Sequence, residues 1–324
     1  MMRNTSKAQD FKFQAGERIV GKWHHHEYTI LSVLGAGATG TVYLAQHKSG
    51  KVALKVGFET PSIISEVNVL KHFAKVQGTV LGPSLIDVDD HVADGTIIPF
   101  YVMEYLDGVS LFSFMKQHQQ EWLSVFFLQL LSDLQLLHQA GWVFGDLKPD
   151  NVLIVGPPYR IRWLDVGGTT QIGRSIKEYT EFFDRGYWGL GSRVAEPSYD
   201  LFACCMIMVN IAYPKRFEKL KAGNDQLKEA VMHSPLLAPY APVIKKGLYG
   251  NYASAEAMKQ ELLSLLHKKK HVMPQQQAKT TVASSRIQHK KQSRHNKRGV
   301  AFELLLLGTF FLVVYFFYLW SQSM

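Results

Sequence analysis

Two short stretches, Asp146-Leu147-Lys148-Pro149-Asp150-Asn151 and Asp165-Val166-Gly167, hold the residue types that phosphoryl chemistry requires. Asp146 is a carboxylate able to accept the proton of an attacking hydroxyl. Asn151 and Asp165 are hard oxygen donors of the kind that hold Mg²⁺ against the phosphates of a nucleoside triphosphate. Lys148, two residues after Asp146, supplies a compact positive charge that offsets negative charge building on a transferred group. Each residue alone would mean nothing; the ordered spacing carries the reading.

Such groups need a phosphate cradle upstream. Gly35-Ala36-Gly37-Ala38-Thr39-Gly40-Thr41-Val42 follows an apolar run, Tyr28 to Leu34, that reads as a strand. Gly35, Gly37 and Gly40 allow the backbone to close over phosphates. A dinucleotide-binding fold would continue into a helix. Here Thr41 to Ala45 and Lys51 to Gly57 are β-prone runs joined by His47-Lys48-Ser49-Gly50, which predicts a hairpin instead. Side chains alternate along Val52-Ala53-Leu54-Lys55-Val56, so Ala53 and Lys55 share one face and Lys55 can meet a nucleotide. Thr60 as N-cap and Pro61 as first helical residue predict a helix with Ile63, Val67, Leu70 and Ala74 on one face. Glu66, its single carboxylate, is the natural ion-pair partner of Lys55. Phe100 to Gly108 reads as a strand that breaks into a connector between lobes, with adenine held by backbone groups of Glu104 and Leu106 and Met103 behind the base.

As an ordered set, the motifs from about Tyr28 to about Leu266 resemble the eukaryotic-like (Hanks-type) Ser/Thr protein kinases of bacteria. Gly21-Lys22-Trp23-His24, the short catalytic region and a C-terminal apolar segment look most like the membrane-anchored kinases of spore-forming bacilli. The resemblance implies an α+β, bilobal fold: an antiparallel sheet plus one helix, a mainly helical second lobe, and a C-terminal transmembrane helix. It implies transfer of the ATP γ-phosphoryl group to protein Ser or Thr hydroxyls, autophosphorylation in a dimer, and a regulatory role in sporulation or DNA-related processes. Asp146, Lys148, Lys55 and Glu66 would be catalytic. Gly35, Gly37, Gly40, Val42, Ala53, Lys55, Glu104 and Leu106 would bind ATP, and Asn151 and Asp165 would hold Mg²⁺.

Two departures stand out. His-Arg-Asp is replaced by Phe144-Gly145-Asp146, where Phe144 is expected to pack on Val166. Gly145 cannot pair with a phosphorylated loop, so activation should not rest on that ion pair. Thr169, Thr170, Ser175, Tyr179 and Thr180 remain candidate phosphorylation sites. Ala-Pro-Glu is also missing: Ala195-Glu196-Pro197 has another order and lies close to Asp200, and Gly186-Tyr187-Trp188 is nearer in register. Asp200 resembles the helix aspartate that anchors the catalytic loop. These departures motivate a competing reading, a pseudokinase that tethers partners or DNA to the membrane.

The 324 residues, 47% apolar and 12% aromatic, suit one two-lobed unit with appendages. The expected divisions are a lead-in over 1–27, the first lobe and hinge over 28–108, the second lobe over 109–267, a basic linker over 268–298 and a tail anchor over 299–324. Cys204 and Cys205 are adjacent, which excludes a disulfide framework. The N-terminus, with Arg3, Lys7, Asp10, Lys12 and Glu17, lacks the apolar core of a signal peptide. His24-His25-His26 reads as a solvated lead-in, because three successive strand residues cannot all face one ion and no acidic or Cys partner clusters nearby.

Leu304 to Met324 has no charged residue and is close to the length that spans a bilayer. The expectation is a single-pass protein of the cell membrane, its catalytic region cytoplasmic and its short C-terminus outside. Residues 268–298 hold ten Lys and Arg and no Asp or Glu, leaving 26 basic against 27 acidic residues elsewhere. Two readings stay open: a topology signal held near anionic lipid headgroups, or non-specific contact with duplex DNA phosphates.

Overall fold

The computed structural model describes residues 12–37, 39–74, 82–118, 120–220 and 223–272, and the chain divides into two units, Met1–Leu265 and Leu266–Met324. The first unit carries the site. The apolar stretch Leu304 to Trp320 and the linker beyond 272 lie outside the described residues; among these, no helix is long and apolar enough to cross a membrane.

The N-terminal lobe is an antiparallel sheet in the order β1-β2-β3-β4-β6-β5, built from β1 (Arg18–Val20), β2 (Glu27–Gly37), β3 (Gly40–His47), β4 (Gly50–Gly57), β5 (Leu85–Ala93) and β6 (Thr96–Glu104). Alternation divides its faces. Ile19, Tyr28, Ile30, Tyr43, Ala45, Val52, Leu54, Val56, Ile98, Phe100 and Val102 bury one side in a continuous core. Ala53 and Lys55 occupy the other side of β4, with Lys55 opposite Val42 and Ala53 opposite Met103 in register. Helix α1 (Thr60–Phe73) crosses that side and buries Ile63, Glu66, Val67, Val69, Leu70 and Phe73. Its N-cap is Glu59, without a side-chain cap bond, and Thr60 already lies inside the helix; Pro61, with its fixed φ, sits in the first turn. Ala74 closes the helix on the solvent side rather than on the apolar face.

After the connector Tyr105–Gly108 and the short β7 (Val109–Ser110), the second lobe is mainly helical: α2 (Leu111–Gln117), α3 (Glu121–Gln139), α4 (Arg185–Trp188), α5 (Pro197–Ala212), α6 (Gly223–His233), α7 (Ala241–Leu248) and α8 (Ala255–Val272). Small strands β8 (Trp142–Val143), β9 (Val152–Val155), β10 (Arg160–Trp163) and β11 (Thr170–Gln171) frame the loops that carry chemistry. Every residue of α5 from Tyr199 to Asn210 is buried, including both free cysteines. A helix apolar on all sides is a lobe's central post, and the buried Asp200 on it reaches out to the catalytic loop.

Candidate active site

Lys55 Nζ lies 2.6 Å from Glu66 Oε2, and both residues are at most 5% exposed. A buried ammonium and carboxylate are tolerable only when paired and supplied with further hydrogen bonds. Tyr101 donates to Glu66 Oε2 at 2.8 Å and Thr39, in the glycine-rich turn, donates to Oε1 at 3.1 Å. Neither partner is legible from spacing, because Tyr101 reaches Glu66 from β6 and Thr39 from the turn between β2 and β3. Gly40 is a close-approach position: a Cβ there would lie 2.1 Å from the Val56 carbonyl oxygen, whereas Gly35 and Gly37 face open space.

The segment Asp165-Val166-Gly167-Gly168 joins this pair to the catalytic loop. Asp165 Oδ1 accepts from the Gly167 amide at 2.9 Å. A Cβ on Gly167 would sit 3.2 Å from Asp165 Oδ1 and 3.5 Å from Glu66 Oε1, and one on Gly168 would sit 2.9 Å from Asp146 Cβ. Lys55, Glu66, Asp165 and Asp146 therefore belong to one neighbourhood. Within it, Asp146 Oδ2 accepts from Lys148 Nζ at 2.5 Å, and Asn151 Nδ2 donates to the Asp146 carbonyl at 2.8 Å. With its nitrogen so engaged, Asn151 keeps Oδ1 to meet a cation.

Thr180, a candidate phosphorylation site by sequence, has a structural role that its position in the chain does not reveal. It donates to Asp146 Oδ1 at 3.2 Å and accepts from Lys148 Nζ at 3.2 Å, tying the segment after β11 to both charges. Glu178, two residues earlier, has its carboxyl raised above the usual range by partial burial and by the charges of Asp165 and Asp146. An excess of carboxylates around one point is a setting that calls for a cation, and oxygen donors from Asp165 and Asn151 suit Mg²⁺.

The catalytic loop is held from below by Asp200, fully buried, which accepts from the amides of Phe144 at 2.8 Å and Gly145 at 3.0 Å and from His138 Nε2 at 2.9 Å. Gly145 explains why the usual arginine is absent. Its φ is +84°, and a Cβ would meet the Gly168 carbonyl oxygen at 2.6 Å. Phe144 packs edge-to-face on Trp163, with ring centroids 4.7 Å apart. Val166 is buried near Phe73, since a Cβ on the intervening Gly82 would touch both. Where Ala-Pro-Glu is missing, α4 forms over Gly186-Tyr187-Trp188, and Glu196 instead precedes α5 and pairs with Arg185.

At the connector, Met103, opposite Ala53 in register, and Leu106 are both buried. The Glu104 amide donates to the Ser84 carbonyl at 2.8 Å, and its carboxylate pairs with Arg162 at 2.8 Å, which holds it below the usual carboxylate range despite partial burial. That bridge links the end of β6 to β10 and fixes the start of the connector.

The expectation of a solvated histidine lead-in is corrected. His24 Nδ1 and His26 Nδ1 lie 2.7 and 2.9 Å from the two oxygens of the buried Asp87. The acidic partner stands 61 and 63 residues away in sequence, so proximity along the chain could not reveal it.

Comparison with known proteins agrees with this geometry. The protein kinase domain profile matches residues 28–290. The serine/threonine-protein kinase YabT of Bacillus subtilis (strain 168) is 49% identical over 265 residues, covering 81% of this chain and 78% of that protein. PknD of Chlamydia trachomatis is 32% identical over 146 residues, covering 39% of this chain and 15% of its own length. Maternal embryonic leucine zipper kinase of Danio rerio is 28% identical over 151 residues, 43% of this chain and 21% of that one. With a profile match over most of its length and a near full-length bacterial relative at this identity, the chain belongs to the protein kinase family as an ATP-dependent Ser/Thr kinase of the bacterial Hanks type.

Proposed function

We propose that this kinase is anchored in the cell membrane by residues 299–324, faces the cytoplasm, and phosphorylates Ser and Thr hydroxyls of protein substrates and of a second copy of itself. In this reading Asp146 orients the acceptor hydroxyl and takes its proton. Lys55, held by Glu66, positions the phosphates, and Lys148 offsets charge on the transferred group. Gly35, Gly37 and Gly40 close over the phosphates, while Val42, Ala53, Glu104 and Leu106 enclose the adenine. Asn151 and Asp165 would hold Mg²⁺, which when bound would supply positive charge to offset that of the phosphates. The observation that carries the reading is the closeness of the 2.6 Å Lys55–Glu66 pair to Gly167, and of the adjoining Gly168 to Asp146.

The uncharged tail Leu304 to Met324 supports the anchor, and ten basic residues just before it support a cytoplasmic orientation. The same linker gives salt-sensitive contact with anionic lipid headgroups or duplex DNA phosphates, which would place the enzyme at membrane-proximal nucleoid. Its resemblance to kinases of spore formers, with 49% identity to a Bacillus subtilis relative, supports a role in sporulation.

Purified full-length chain in detergent, given labelled ATP and Mg²⁺, should label itself and a general protein substrate, while Asp146→Asn should lose at least about a hundredfold in rate. Equal labelling by both would overturn the assignment of Asp146 and favour a scaffold. Removing 299–324 should release the chain from the membrane fraction; retention there would overturn the anchor.

A further inference from the structure

Strand β5 carries Asp87 and Asp89 two residues apart, so both carboxylates leave the same face. Their side chains are 5% and 0% exposed. Burial of two acids side by side requires dedicated partners. Asp89 finds them in the backbone: the amides of Trp23 and His24 donate to it at 2.9 and 2.7 Å, and Asp90 adds a third at 2.7 Å. Gly21 comes so close that a Cβ would lie 2.3 Å from Asp89 Oδ2. Asp89 thus clamps the turn after β1 and sets the histidine segment over Asp87.

Asp87 gathers side chains instead. His24 Nδ1 meets Oδ1 at 2.7 Å, while His26 Nδ1 at 2.9 Å and the Tyr28 hydroxyl at 2.7 Å meet Oδ2. The ligand atoms of His24, His26 and Asp87 all lie within 4.8 Å of one another. His25, between them, takes φ of 56°, so the backbone turns and lets both flanking imidazoles reach the same carboxylate. A third imidazole, His47, stacks on Tyr28 and lies 5.7 Å from the His26 ring.

We propose that His24 Nδ1, His26 Nδ1 and the Asp87 carboxylate bind one borderline divalent cation of the Zn²⁺ class, at a site separate from the phosphate-binding cleft. Two imidazoles and one carboxylate favour Zn²⁺ over Mg²⁺, which prefers an all-oxygen shell. The Tyr28 hydroxyl orients the carboxylate as an outer partner, and water completes the shell. Bonds of about 2.0–2.1 Å set tetrahedral ligand atoms roughly 3.3 Å apart. The adjustment falls on the histidines, whose side chains are 54% and 41% exposed, while Asp87 stays fixed. Because His24 and His26 belong to the segment between β1 and β2 and Asp87 to β5, the ion would fasten this lead-in to the far edge of the sheet without entering the reaction.

The test uses the full-length chain without a polyhistidine tag, saturated with Mg²⁺ to occupy the phosphate site, and titrated with CoCl₂ and then ZnCl₂. Wild-type protein should bind one Co²⁺ with the visible absorption of tetrahedral nitrogen and oxygen ligands, and Zn²⁺ should displace it and raise the melting temperature. His24→Gln/His26→Gln should weaken this binding by at least about a hundredfold, Tyr28→Phe by about tenfold, and His25→Asn should leave it unchanged. Phosphotransfer with Mg²⁺ alone should stay at the wild-type level in all three, which verifies folding. Absence of the band in wild-type protein, or its survival in the double variant, would overturn the site. If the double variant fails to fold, an unchanged affinity in Tyr28→Phe overturns it, and a tenfold loss with wild-type phosphotransfer supports it.

Discussion

Gly145 offers the sharpest test of how the catalytic loop is built. Substitution by Ala imposes two costs. The left-handed φ of +84° costs an L-residue about 1–2 kcal/mol. The new Cβ also meets the Gly168 carbonyl oxygen at 2.6 Å, and relieving such overpacking costs typically about 1–3 kcal/mol. About 3 kcal/mol in total corresponds to a fall of roughly 6–12 °C in melting temperature for a unit of this size. Gly168 cannot yield freely, because it is itself packed on Asp146; displacement is passed to the catalytic carboxylate, where about 1 Å of misplacement costs on the order of a hundredfold in rate. The control is Gly141→Ala, with φ of +86° and nothing within 4 Å, which should cost only the same conformational strain of about 1–2 kcal/mol. Differential scanning calorimetry and phosphotransfer rates on the two variants isolate the contact. If Gly145→Ala melts within about 2 °C of Gly141→Ala and keeps wild-type turnover, the steric account of the missing arginine is wrong. Gly145→Arg should be at least as damaging and should not create phosphorylation-dependent activation.

Glu66→Gln keeps the shape but leaves Lys55 buried without its partner; destabilisation of about 1–3 kcal/mol and a turnover loss exceeding tenfold are expected, and wild-type kinetics would remove Glu66 from the site. Thr180→Ala should lower kcat about tenfold with KM for ATP unchanged, while Thr180→Ser restores it; equal activity in both variants would assign Thr180 no positioning role. Asp133, buried in α3, has its carboxyl raised from 3.8 to about 6 by burial, partly offset by Arg160 and Arg162. The folded state therefore holds a proton that the unfolded chain releases, so stability from this group falls as pH rises from about 3.8 through about 6, by up to about 3 kcal/mol. Asp133→Asn should flatten that fall, raising the melting temperature at pH 8 relative to pH 5; parallel melting curves at both values would refute the shift.

Much of this protein could be read from residue order because its chemistry is concentrated in short motifs. The glycine-rich hairpin, the alternation that turns Ala53 and Lys55 to one face of β4, and the single carboxylate of α1 are local facts, fixed by strand period and helix composition. The N-terminus of α1 was less legible: Thr60 is a good capping residue by type, yet Glu59 takes the position without using its side chain. Propensity ranks candidates, and packing of Ile63 against Gly57 decides the start.

What the sequence concealed has a common cause, since each hidden partner lies on an element whose placement depends on the whole fold. Thr180 sits 34 residues from Asp146, Arg162 sits 58 from Glu104, and His24 sits 63 from Asp87. Even the departures from the family pattern obey the geometry around them. An arginine at 145 would collide with Gly168, so the loop is secured by Asp200 beneath it and by Thr180 above it. Neither contact needs a phosphate. A kinase whose Asp146 carboxylate is held by Lys148 and Thr180, on a loop anchored by the buried Asp200, needs no phosphate for that geometry, and phosphatase treatment should leave its turnover within about twofold of the untreated enzyme, whereas a drop exceeding tenfold would show that a phosphorylated side chain does the work assigned here to Thr180 and Asp200.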